Sequence, residues 1–139
     1  MQRSAEVEAF VRRMLDVWRS GDAQQIDELL ASDVLVIGTD PDEWWSGRET
    51  VARNFRTQLE ATGGFPFDAD EPEGYSSGDV GWFATRFRFT FPGMPEIPTR
   101  FTGVAVRENG AWRAAQMHVS IGVSNEEVAG EEIAAQVGV

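Results

Sequence analysis

Apolar residues near the start of the chain recur every three and four places. Val7, Phe10, Val11, Met14, Leu15 and Trp18 form one stripe, with Glu6, Glu8, Arg12, Arg13 and Asp16 between them. That period predicts an amphipathic helix. Gly21 suits its exit through a left-handed turn. Asp22 and Gln25 have capping-box spacing, which predicts a second helix whose buried edge is Ile26, Leu29 and Leu30. Val34-Leu35-Val36-Ile37 predicts a short strand, broken by Gly38-Thr39-Asp40-Pro41-Asp42. Ser46-Gly47-Arg48-Glu49 is another capping box. Val51, Phe55 and Leu59 follow at i, i+4, i+8, so a third helix is expected from about Gly47 to Thr62.

Beyond Gly63-Gly64 the period changes to two. Residues 65–74 gather acid and glycine and read as an irregular, solvated edge strand or loop. From Val80 to Phe91 the alternation is clear: Phe83, Thr85, Phe87, Phe89 and Phe91 share one face, and Trp82, Ala84, Arg86, Arg88 and Thr90 the other. After a Pro/Gly turn at 91–95, strands Thr99–Arg107 and Trp112–Ile121 are joined at Asn109-Gly110, a strong hairpin signal. Ser124 and Glu127 cap a short acidic helix in the tail. Three N-terminal helices followed by three or four antiparallel strands argue for an α+β domain with helices on one face of a bent sheet. The whole chain, 1–139, reads as one domain with an acidic tail from about 124.

Composition narrows the chemistry. The chain has 139 residues, 12 Lys+Arg against 23 Asp+Glu, and a formal net charge of −11. A charge this negative repels phosphate backbones and anionic lipid, so neither nucleic acid nor a membrane is an expected partner. Every basic residue is arginine, which removes lysine nucleophiles. With no cysteine, disulfides, thiolate metal sites and thiol catalysis are excluded. One histidine and no cysteine give no metal-ligand spacing, and no metal or cofactor is expected. No phosphate-cradling glycine loop occurs. No run is long enough to span a bilayer, and charge at Glu6 and Glu8 leaves no signal-peptide core; a cytoplasmic protein is the expectation.

Several segments carry a resemblance. Asp33 to Glu49, with its strand, loop and Gly47-Arg48-Glu49 helix start, is similar to the nuclear-transport-factor-2-like, or SnoaL-like, superfamily. So are Arg100-Phe101-Thr102, the hairpin Asn109-Gly110-Ala111-Trp112-Arg113, and the closing Gln116-Met117-His118-Val119-Ser120. The resemblance covers about residues 4–123. It is nearest the SnoaL-like domains related to the association domain of calcium/calmodulin-dependent kinases. It implies three helices against a strongly curved, mainly antiparallel sheet that forms a cone with an internal pocket. It also implies a homodimer through the outer sheet face and a small-molecule ligand.

The resemblance turns the tryptophan of the last hairpin inward. By alternation Trp112, Ala114, Gln116, His118 and Ser120 would then face the pocket. His118, the sole histidine, becomes the candidate acid/base; the alternative is a hydrogen-bonded core residue. Arg100 would neighbour it and hold an anion bidentately, or sit on the surface paired with an acid. Trp44 and Trp45 suggest a pocket lip, with Trp45 inward, Trp44 outward and Asp40 the nearest acid. The carboxylate bases that related isomerases, cyclases and epoxide hydrolases use do not map onto this chain: Ala114 to Gly122 contains no acid. Two functions are expected in parallel. One is an isomerase, cyclase or dehydratase acting on an apolar substrate through His118. The other is a non-catalytic domain that holds a small acid through Arg100 and His118, with Gln116, Ser120 and the tryptophans completing the site.

Overall fold

Ser4 opens the first long helix. Its backbone is extended, and its Oγ accepts the N–H of Val7 at 3.2 Å, satisfying one of the donors a helix start leaves free. In the computed structural model, which describes residues 1–130, this helix (α1) runs Ala5–Ser20. It buries Val7, Phe10, Val11, Met14, Leu15 and Val17, and it ends at Gly21 with φ +75°.

The expected second helix does not form. Asp22–Leu30 makes two single 3₁₀ turns, Ala23–Gln25 and Asp27–Leu29, and strand β2 begins at once (Leu30–Ile37, with a two-residue β1, Gln2–Arg3, before α1). The stretch is too short to return an α-helix's nucleation cost, and 3₁₀ turns bury Ile26 and Leu29 completely. Ser46 does not cap the next helix. It lies in β3 (Trp44–Ser46), paired with Leu35. Gly47, at φ +88°, precedes α2 (Arg48–Thr62), which buries Val51, Ala52, Phe55 and Leu59. A third helix, α3 (Asn125–Ala129), is C-terminal rather than N-terminal; Ser124 Oγ accepts the Glu127 N–H at its start. The remainder of the acidic tail, 131–139, lies outside the described residues.

The acidic stretch 65–74 yields β4 (Phe67–Ala69) and part of β5 (Glu73–Ser77). Both pair with the long strand β6 (Val80–Phe89). Then come β7 (Ile97–Glu108) and β8 (Ala111–Ile121), joined through Asn109 at φ +51° and Gly110 at φ +79°. The sheet order is β1-β5-β6-β7-β8-β2-β3 with β4 also on β6; only β2/β8 is parallel. The result is an α+β fold with a curved, open, mixed sheet. Helices α1 and α2 lie on its inner side, where Phe83, Phe101, Ala105 and Met117 complete the core. Complete burial of a side chain such as Phe83 or Met117 contributes about 1.5–3 kcal/mol. No described helix is long and apolar enough to cross a membrane.

Candidate functional site

One residue in β8 decides what reaches the interior. Along β7 and β8, Ala105 pairs with Ala114 but Val104 pairs with Gln116, so Ala115 is an extra residue with no partner, a β-bulge. Trp112 does lie on the helix side, as its indole Nε1 donates to Glu6 Oε2 of α1 at 3.1 Å. Ala114 is buried on that side too. Past the bulge the alternation is inverted. Met117 and Val119 face inward, and Gln116, His118 and Ser120 face outward. The inward orientation expected for those three is therefore corrected. The anchor at Trp112 holds, but the period of two does not survive the insertion. His118 is exposed beside Thr102 of β7 and Ile37 of β2. Arg100 is also outside. Its Nε donates to Ser120 Oγ at 3.1 Å, and it stands opposite Arg86 across the β6/β7 pair. The anion-holding pair expected at the pocket floor does not exist there.

The interior holds a cavity of about 440 Å³ between the two helices and the sheet. That size falls in the range of small-molecule sites. Leu15 and Trp18 of α1 and Phe55 of α2 form the helical wall. Phe87 and Phe89 of β6, Phe101 of β7 and Met117 of β8 form the sheet wall. The rings interlock edge-on: Trp18 and Phe55 have centroids 5.0 Å apart at 89°, and Trp45 meets Phe55 at 5.6 Å and 77°. Such T-shaped pairs keep the wall stiff. Trp45 lines the cavity, and Trp44, one residue earlier on β3, is 64% exposed.

A single charged residue lines this cavity among the described residues: Glu43. Sequence reasoning passed over it and took Asp40 as the nearest acid. Asp40 is exposed, and its Oδ1 accepts the Asp42 N–H at 2.9 Å, tightening the loop. The loop's backbone closes through Gly38 N–H to Glu43 O at 2.8 Å. The Glu43 carboxylate is then held from three directions. Oε1 accepts the Asp40 N–H at 2.9 Å and the Thr39 hydroxyl at 3.5 Å, and Oε2 accepts Gln58 Nε2 at 3.2 Å. Donors of this kind offset the cost of placing a charge against aromatic walls. Gly38 gives the side chain its room: a Cβ there would lie 2.7 Å from Glu43 Cβ and 2.8 Å from Oε1. The signal was in the sequence. If Trp45 faces the pocket, the residue two before it shares that side.

A curved, open sheet with two helices on its inner side is an α+β fold of the cystatin-like kind. The model of the SnoaL-like domain matches residues 7–124, and the chain belongs to that family. Among solved structures, an NTF2-like protein of unknown function from Pseudomonas putida KT2440 superposes with a TM-score of 0.77 at 17% identity, over 88% of this chain and 89% of that one. An uncharacterised protein with a cystatin-like fold from Caulobacter vibrioides gives 0.74 at 16% identity, over 88% and 92%. A proposed dehydratase of the NTF2-like family from Streptomyces avermitilis gives 0.74 at 16%, over 85% and 94%. At these identities the likeness is one of fold. No curated protein matches the chain.

Proposed function

We propose that this SnoaL-like protein binds a small, mainly apolar molecule in the cavity and moves a proton on it with Glu43, as an isomerase, cyclase or dehydratase does. The observation that carries the reading is the Glu43 carboxylate, held by Asp40, Thr39 and Gln58 where it lines the cavity. A base in that setting is positioned in advance and partly withdrawn from water, and general-base catalysis of this kind is worth roughly 10²–10⁴-fold. The likeness to a proposed dehydratase agrees with proton chemistry in such a cavity. The other expectation, a small acid held by Arg100 and His118, gains nothing from the cavity, since both residues face away from it.

The test needs no natural substrate. Ring opening of 5-nitrobenzisoxazole begins with abstraction of a carbon-bound proton, breaks the N–O bond and gives a coloured phenolate. The protein should accelerate it above an equal concentration of acetate, and Glu43→Gln should remove at least 100-fold of that rate. Equal rates for both proteins would reject Glu43 as a base. We also infer that the outer sheet face meets a second copy of the chain. Trp82 (40% exposed) and Val104 on that face, with Trp44 at its β3 edge, support this. Trp82→Glu should then halve the mass measured by sedimentation; a wild-type mass near 15.4 kDa would reject the dimer.

A further inference from the structure

The cavity discriminates by charge as well as by shape. Its walls carry no arginine and no histidine among the described residues, and its one ionisable lining group is an acid. Glu43 can only accept hydrogen bonds, so it fixes the Gln58 carboxamide with its nitrogen toward the carboxylate and its carbonyl oxygen turned away. The polar corner is thus rich in acceptors, with Thr39 Oγ1 already donating to Glu43. A ligand carboxylate brought there would face a like charge at the half-buried Glu43. A neutral hydroxyl or enol would find a charged acceptor, the stronger kind of hydrogen bond.

Resting on the reading of the cavity as a small-molecule site, we propose that it selects neutral, largely apolar molecules that present a hydrogen-bond donor, and rejects carboxylates. Gly38 is the positioning residue that makes this possible. A Cβ at this position would collide with Glu43 Cβ, Cδ and Oε1, so any side chain at 38 displaces the carboxylate from its seat. Gly38 borders the cavity without offering a side chain to a ligand, and its effect on the polar corner runs through Glu43.

Three probes with one ring system separate the elements: 2-naphthol, 2-methoxynaphthalene and 2-naphthoate, titrated by calorimetry and followed by the indole N–H signals of Trp18 and Trp45. Naphthol should bind about tenfold more tightly than the methyl ether, the worth of one hydrogen bond to a charged acceptor, and at least tenfold more tightly than naphthoate. Glu43→Gln should abolish the rejection of naphthoate. Gly38→Ala should shrink both ratios at least threefold while the methyl ether, which reports only ring burial, keeps its affinity. Naphthoate binding as tightly as naphthol overturns the proposal and leaves the cavity reading standing. Unchanged ratios in Gly38→Ala overturn the positioning role. Failure of all three rings to bind overturns the cavity reading itself.

Discussion

Replacing Gly103 by alanine tests the packing that curves the sheet around the cavity. A Cβ at that position would lie 2.3 Å from the backbone oxygen of Gln116 and 2.5 Å from Phe83 Cζ. Ordinary contact begins near 3.4 Å, so each neighbour would have to retreat by about 1 Å. Phe83 is 1% exposed and packs against Phe101, with ring centroids 5.2 Å apart. The Gln116 carbonyl belongs to the strand just past the bulge and cannot move without disturbing the β7/β8 ladder. Overpacking of this sort costs about 1–3 kcal/mol, set against the roughly 0.4–1 kcal/mol that alanine recovers by restricting the unfolded chain. With a backbone atom in the way, the net loss should be about 2 kcal/mol. For a chain of this length that corresponds to a fall in Tm of roughly 5–8 °C. Thermal unfolding by circular dichroism and a urea titration with unchanged m would measure it. Gly122→Ala is the control, because its nearest neighbour, Pro98 O, is 3.6 Å away; it should change stability by less than about 0.5 kcal/mol. A Tm for Gly103→Ala equal to or above that of the parent would refute the steric argument.

Other substitutions address other parts of the fold. His118→Ala should leave 2-naphthol affinity within about twofold of the parent by calorimetry, since the ring is on the outer face; a tenfold loss would contradict the inverted alternation. Asn109→Val places a β-branched side chain at φ +51° and should destabilise by about 1–2 kcal/mol in urea unfolding. Glu8 has its carboxyl pulled below the usual 4.5 by its hydrogen bond from Arg3, with Nε to Oε2 at 2.9 Å. A carboxyl whose folded pKa is depressed adds stability above the unfolded value and loses it as pH falls through the folded one. The Tm gap between parent and Glu8→Gln should therefore be present at pH 7 and close below the ordinary carboxylate range. A gap that persists in acid would mean the pair is not its source.

The parts of the fold governed by local chemistry were legible in the sequence. The stripe Val7 to Leu15 is buried as spaced, and Asn109-Gly110 makes the hairpin its residue types favour. The alternating phenylalanines of β6 face the core and cavity. What failed did so where tertiary geometry overrode a local pattern. Asp22 and Gln25 do interact, through Gln25 Nε2 to Asp22 Oδ2 at 2.6 Å, yet no α-helix follows, because β2 starts within five residues of Gln25. The site was misplaced for a subtler reason. Ala114-Ala115 carries no glycine, proline or charge to announce a bulge, so nothing in the composition of β8 warned that the faces exchange there. Glu43 sits in a loop of acids, and only counting back two residues from the inward Trp45 singles it out, on the side where the loop's backbone closure then holds it.

The unpaired alanine at 115 has an implication for how such a wall can be rebuilt. Removing that single residue would let Gln116 follow Ala114 directly, still opposite Val104, with Met117 still opposite Gly103, so the strand would alternate strictly and methionine and valine would remain the lining. The bulge absorbs one residue of extra length without changing what the chamber sees. Rebuilding the lining of this strand therefore takes substitution at 117 and 119 rather than a change of length.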